Sequence, residues 1–219
     1  MGIEFLNGTE ISASLGRLEV HILGLGVATD NAVLNASIEG LLTGRSDRAD
    51  AIIKRLNALG VPAERASIEA SAGSSIGRMH IAQEIVRLGH AKTIQGAFNK
   101  YIKAGRPAYV PKKSLDCSEA IEVIHAAGGL AFVAHPGVGN LHKHLDKVLA
   151  FPFDGIEVYH SRHTPGHAAQ FAEIAKENGL LISGGSDCHG TVKGETPLMG
   201  SVQIPYAVYE SIKAALAER

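Results

Sequence analysis

The spacing of apolar and polar residues divides the chain into three stretches of different character. Residues 3–29 are β-rich. Ile3-Glu4-Phe5-Leu6 reads as a strand running into Asn7-Gly8, a dipeptide that favours tight turns. Thr9 to Ser14 and, after Gly16, Leu18 to Leu25 read as two further strands. Glu10 and His21 each lie inside one of these strands, flanked by apolar residues. A charged residue there needs a partner if it faces a core, and none if it faces solvent.

Residues 30–105 read as helical. Asp30 is placed to cap a helix running to about Leu42, which Gly44 breaks. Ser46 or Asp47 starts a second, with Ala49, Ile52, Ile53, Leu56 and Leu59 on one face before Gly60. After the small residues of 70–77, a third carries Met79, Ile81, Ala82, Ile85, Val86 and Leu88 and stops at Gly89. Thr93 caps a fourth, from Ile94 to about Ile102. This block is expected to form its own lobe, inserted between 1–29 and 106–219.

From residue 116 helices and strands alternate. Asp116-Cys117-Ser118-Glu119 has the spacing of a capping box and opens a helix to Ala127. Leu130 to Ala134 is a short buried strand ending at His135-Pro136-Gly137. Asn140 caps a helix of 141–150. A strand of 155–159 ends at His160, Ser161, Arg162 and His163, and Thr164-Pro165 starts a helix to Asn178. A strand over 180–182 leads to Ser186-Asp187-Cys188-His189, and a last helix spans 205–216. The pattern is α/β.

With 219 residues the chain can bury one good core plus a small subdomain. A formal charge of −1 gives no global attraction to nucleic acid or membranes, so any anion site must be local. No membrane partner and no duplex nucleic acid is expected. Two cysteines and no secretory signal fit a reduced, cytoplasmic setting. Eleven histidines are the outlier.

Their placement matters more than their number. Three successive strand ends carry His135, then the His160–His163 group, then Asp187 with His189. In α/β barrels such ends converge on one face, which holds the active site. In an extended chain Asp187 and His189 point the same way, as two metal ligands would. One polar strand end is uninformative, but three in a row are hard to explain by packing. His125, His142, His144 and His167 lie within helices and read as surface or structural. Ser74-Ser75-Ile76-Gly77-Arg78 resembles an anion site at a helix start, although a plain serine cap explains it too. Lys112 and Lys113 add two cations in a loop.

Gly8-Thr9-Glu10-Ile11-Ser12, Val20-His21-Ile22-Leu23-Gly24, Ala134-His135-Pro136-Gly137 and Gly185-Ser186-Asp187-Cys188-His189 resemble successive motifs of the PHP (polymerase and histidinol phosphatase) family. The helical block with Ile76-Gly77-Arg78 is similar to the branch that includes nucleoside phosphate phosphatases and short-RNA 5′→3′ exonucleases. The resemblance implies a distorted (β/α)7 barrel with up to three divalent ions at its strand ends. It departs in one respect: the family's first strand carries His-x-His, and no such strand opens this chain. The barrel is therefore expected to lack its first two strands, with self-association or strand exchange between copies as a consequence.

Carried over, the metal ligands are Glu10, His21, His135, Asp187 and His189. Glu10, His21 and His135 share one ion, the one well-formed site expected, taking Mn²⁺, Fe²⁺ or Zn²⁺. The implied reaction is hydrolysis of nucleotide phosphomonoesters by metal-activated water. Arg78, Arg106 and Lys112 would bind the substrate phosphate, and His163 would bind or protonate the leaving oxygen. Two alternatives stay open. One is an impaired metal-binding fragment or partner chain. The other is an amidohydrolase-type C–N hydrolase, against which the cations Arg78 and Lys112 argue.

Overall fold

The computed structural model describes residues 3–72, 76–189 and 198–219. The chain divides into two compact units, residues 1–35 with 114–219, and residues 36–113.

The first unit is built on a six-stranded mixed sheet ordered β3-β1-β2-β4-β5-β6. β1 (Gly8–Leu15) and β2 (Leu18–Leu25) form an antiparallel hairpin. Its turn lies at Gly16-Arg17, where Gly16 takes a φ of 61° that a side chain would strain. The expected Asn7-Gly8 turn is not a hairpin, because Gly8 is already the first residue of β1. Residues 3–6 are not a strand, and Ile3 and Phe5 are 94% and 80% exposed. β3 (Leu115–Asp116) runs parallel to β1, and β2 is antiparallel to β4 (Leu130–Val133). β4, β5 (Gly155–His160) and β6 (Leu181–Gly185) are parallel.

Alternation sorts the hairpin's side chains. Ile11 pairs with Ile22 and Ala13 with Val20, and all four are buried on one face. α5 (Cys117–Ala126) packs there, with Ile124 so near that a Cβ on Gly24 would come within 3.0 Å of it. α5 opens with the reciprocal Asp116–Glu119 capping box. The opposite face carries Glu10, Ser12, His21 and Leu23. There Ser12 pairs with His21 and Glu10 with Leu23, so Glu10 and His21 are diagonal neighbours. Leu23 and Leu25 join Leu130, Phe132 and the α8 residues Val208 and Ile212 in one apolar cluster. α7 (Pro165–Glu177), capped by Thr164, packs on β5 and β6, and α8 (Tyr206–Ala217) packs on β6. The expected helix over 141–150 is shorter: a 3-10 turn, Leu141–His144, and then α6 (Leu145–Val148). Asn140 gives it no side-chain cap.

The second unit is helical. α1 (Ala32–Ala58) is one helix straight through Gly44, where two were expected. Its two interior glycines, Gly40 and Gly44, cost about 1 kcal/mol each, less than burying Ala49, Ile52, Ile53 and Leu56 returns. Its cap is Asn31 and not Asp30, with Asn31 Oδ1 accepting the Leu34 N–H at 3.0 Å. α2 (Arg65–Ala72) overlaps the stretch read only as small residues, because Ile68 is pulled into the core. α3 (Arg78–Arg87) and α4 (Ile94–Ala97), which continues as a π-helical turn over Phe98–Ile102, complete the unit. Thr93 caps α4 through the Gly96 N–H. No helix among the described residues is long and apolar enough to cross a membrane.

Candidate metal centre

Glu10, His21 and His135 come together on the sheet. One donor atom from each lies within 4.8 Å of the other two. His135 Nε2 is 3.2 Å from Glu10 Oε1. His21 Nδ1 is 2.7 Å from the same oxygen, yet it is buried without the geometry of a hydrogen bond. Two imidazole nitrogens facing one carboxylate oxygen form a donor set that could hold a divalent ion. The His135 hydrogen bond, then the close approach of His21, hold the Glu10 carboxyl far below the usual carboxylate range. Burial opposes charge on His135, but the bond and charge of Glu10 prevail and raise its pKa.

His135 leaves β4 with φ at 28°, a region a side chain rarely enters. Its N–H donates to Glu157 Oε2 at 2.7 Å, and its carbonyl accepts the Val138 N–H at 2.9 Å. Glu157 sits mid-β5 and is 4% exposed. Desolvation pushes its carboxyl up to about 7. Register between β5 and β6 slips between Glu157 and Tyr159, a bulge that turns both Glu157 and His160 toward the strand-end cluster. The His160 side chain is fully buried. Its Nδ1 accepts the Arg162 N–H at 3.1 Å, so the neutral ring carries its proton on Nε2, 3.7 Å from Asp187 Oδ2. Burial, then the neighbouring histidines His163 and His135, push its pKa down to about 4.

Asp187 and His189 lie past the end of β6. Asp187 has φ at 54°, so the extended alternation expected of this pair is absent. Arg162 Nη2 donates to Asp187 Oδ2 at 2.9 Å. His189 Nδ1 donates to the Asp187 carbonyl at 2.8 Å, which leaves Nε2 with a free lone pair. His163 is engaged at both nitrogens: Nδ1–H donates to Val158 O at 2.8 Å and Nε2 accepts the Gly137 N–H at 3.1 Å. Proton transfer from His163 would require one of these bonds to open.

The proposed phosphate cations belong to the other unit. Arg78 begins α3 and lies over the Phe98 ring, and Arg106 is exposed in a turn closed by its own N–H on Lys103 O. Lys112 lies in the loop before β3. Ser74 and Ser75 of the anion motif fall outside the described residues. His80 Nδ1 accepts the Gly77 N–H at 3.1 Å and closes the start of α3. His125 is structural, its Nε2 2.7 Å from Asp154 Oδ2.

Glu157 and His160 were not among the candidate ligands and phosphate binders. Glu157 carried the signal that singled out Glu10, a carboxylate between apolar residues of a strand. The bulge that gives both residues a role has no signature in the sequence.

The chain is 35% identical over 200 residues to the 3′,5′-nucleoside bisphosphate phosphatase of Chromobacterium violaceum, a match covering 88% of this chain and 70% of that protein. It belongs to the PHP-type family of metal-dependent phosphoesterases. Within this PHP-type group it is also 31% identical over 195 residues to the 5′-3′ exoribonuclease Rnm of Escherichia coli, covering 86% of the chain and 67% of that enzyme. A structure from Bifidobacterium adolescentis assigned as a metal-dependent phosphoesterase superposes with a TM-score of 0.75 at 28% identity, over 95% of this chain and 76% of that one. The structure of an amidohydrolase from Chromobacterium violaceum, with bound sulfate and no metal, gives 0.75 at 30% identity over 96% and 76%. No family model matches the chain.

Proposed function

We propose that this PHP-type chain hydrolyses phosphomonoesters of nucleotides, either nucleoside 5′-phosphates, 3′,5′-bisphosphates or short oligonucleotides. The observation that carries the reading is the convergence of His21 and His135 on one oxygen of Glu10. It gains weight from the likeness to a nucleoside bisphosphate phosphatase.

The donor set suits a divalent ion such as Mn²⁺, Fe²⁺ or Zn²⁺, which carboxylate and imidazole bind together. When bound, such an ion supplies positive charge to a phosphate oxygen and acidifies a water. The protein's part is to keep the donors ready. Glu10 stays ionised throughout the physiological range because both imidazoles face it. His135 is fixed through its backbone as well as its ring. Asp187 and His189 are proposed as ligands of further ions, Asp187 steadied by Arg162 and His189 offering Nε2. Arg78, Arg106 and Lys112 are proposed to bind phosphate. Their replacement by Ala is expected to raise KM with the metal content unchanged. The open sheet is proposed to be part of a (β/α)7 barrel.

The test is release of inorganic phosphate from nucleoside monophosphates and bisphosphates with Mn²⁺ added, beside elemental analysis of the purified chain. Turnover that vanishes in Glu10→Gln supports the reading. A chain that binds metal and releases no phosphate overturns it. The likeness to an amidohydrolase structure favours a second reading, cleavage of a C–N bond at the same centre. Amide turnover without phosphate release would establish that reading instead.

A further inference from the structure

We propose that Glu157 is a positioning residue, whose carboxylate holds the His135 backbone in its strained conformation and so sets the metal-facing edge of the His135 ring. The inference rests on the reading of Glu10, His21 and His135 as a cation site.

His135 is one of two non-glycine residues with positive φ among those described, and such a strained conformation persists only where its surroundings impose it. Left alone, His135 would relax toward extended backbone and swing its ring away from Glu10. Three contacts oppose this. The Val138 N–H closes a turn onto His135 O at 2.9 Å, and the ring reaches Glu10 at 3.2 Å. The third and shortest is the 2.7 Å bond from the His135 N–H to Glu157 Oε2. Without it a half-buried N–H would lose its partner.

Glu157 is itself well fixed. It is 4% exposed in the middle of β5, paired in register with Ser183 of β6. Its second oxygen lies against Gly185, where an added Cβ would sit 3.3 Å away. The carboxylate therefore links β5, the end of β4 and, through the His135 ring, Glu10 on β1. Outer partners of metal-binding histidines usually act on the ring nitrogen. Here the grip is on the backbone.

The experiment compares wild type with Glu157→Gln, Glu157→Leu and Glu157→Asp in the metal-free chain. Gln keeps an oxygen acceptor at the same reach, Leu has none, and Asp is one methylene short. The first readout is hydrogen exchange of the His135 amide. It is expected to stay slow in wild type and Gln, and to become fast in Leu and Asp. The second is titration with Co²⁺ alone, followed by its ligand-field absorption. Affinity is expected to hold within about threefold in Gln and to fall about 10–100-fold in Leu and Asp, the usual cost of losing an outer partner. Wild-type protection and affinity in Leu or Asp would overturn the proposal. So would a loss in Gln equal to that in Leu, since charge and not the hydrogen bond would then matter. If Leu fails to fold, Asp decides in the same way. If wild type binds no Co²⁺, the metal reading fails, and the amide readout still decides the part played by Glu157.

Discussion

Nε2 of His163 accepts the backbone N–H of Gly137 at 3.1 Å. That glycine lies two residues past His135, and a Cβ on it would come within 2.7 Å of the His163 ring. With Nδ1–H on Val158 O, the imidazole is held as one neutral tautomer, and burial lowers its pKa despite the Val158 bond, which raises it. His163→Ala is expected to loosen the loop after β4, lowering kcat and metal affinity together, by about tenfold or more. The basic and acidic limbs of the kcat/KM profile should keep their positions. A profile that loses one limb would make His163 the proton donor that its sequence position suggested.

Glu157 and His160 lie on the same strand and pull stability in opposite directions with pH. The folded pKa of Glu157, about 7, is above its ordinary 4.5. Its contribution is therefore fully present below 4.5 and is lost as pH rises through 7. His160 folds with a pKa of about 4 against 6.5, so its contribution is present above 6.5 and lost as pH falls through 4. The two slopes nearly cancel across this window in the metal-free chain. Glu157→Gln removes one of them. The variant's Tm should then climb between pH 4 and 6.5, where wild type stays comparatively flat. At about 1.4 kcal/mol per pKa unit the gain above pH 7 is about 3–4 kcal/mol at most. Parallel wild-type and variant curves would rule the cancellation out.

The sequence carried the trio Glu10, His21 and His135, because motif order survives without coordinates and because a charge inside a strand asks for a partner. It also carried the Asp116 and Thr93 caps and the Thr164-Pro165 start of α7, all local devices whose chemistry is written in three or four residues. Nonlocal effects were illegible. Gly44 reads as a break, and only burial elsewhere on α1 explains why the helix passes through it. Asp187 and His189 read as an extended pair, but the backbone turns left-handed at Asp187. Glu157 reads as one more strand residue, since its partner is a backbone N–H 22 residues away.

Gly155 tests the packing beneath the site. It pairs with Phe132 on one side and Leu181 on the other. A Cβ there would come 2.1 Å from Phe132 Cε1 and 2.7 Å from the Leu181 carbonyl oxygen. Phe132 is fully buried among Leu130, Val208 and Ile212, and the carbonyl belongs to β6, so neither can withdraw. Gly155→Ala is expected to cost about 3 kcal/mol, at the upper end for overpacking. It should appear as a lower urea midpoint with an unchanged slope. A midpoint like wild type's would mean that β4 and β5 are not packed as described.

Glu10 is the residue on which the other two donors converge, so its replacement separates a metal centre from a polar cluster. Chelation of wild type should abolish phosphate release, and added Mn²⁺ should restore it. Glu10→Gln keeps the side chain's size and removes the charge that both imidazoles face. Metal content should fall by about one ion per chain and kcat/KM by at least about a hundredfold, with no recovery on adding Mn²⁺. Stability should move separately. The folded pKa of Glu10 is depressed, so its contribution is present above 4.5 and lost as pH falls below that value. The variant should therefore lose stability relative to wild type above pH 4.5 and converge with it in stronger acid. A variant with full metal content and activity would leave Glu10 as a partner for two histidines and nothing more.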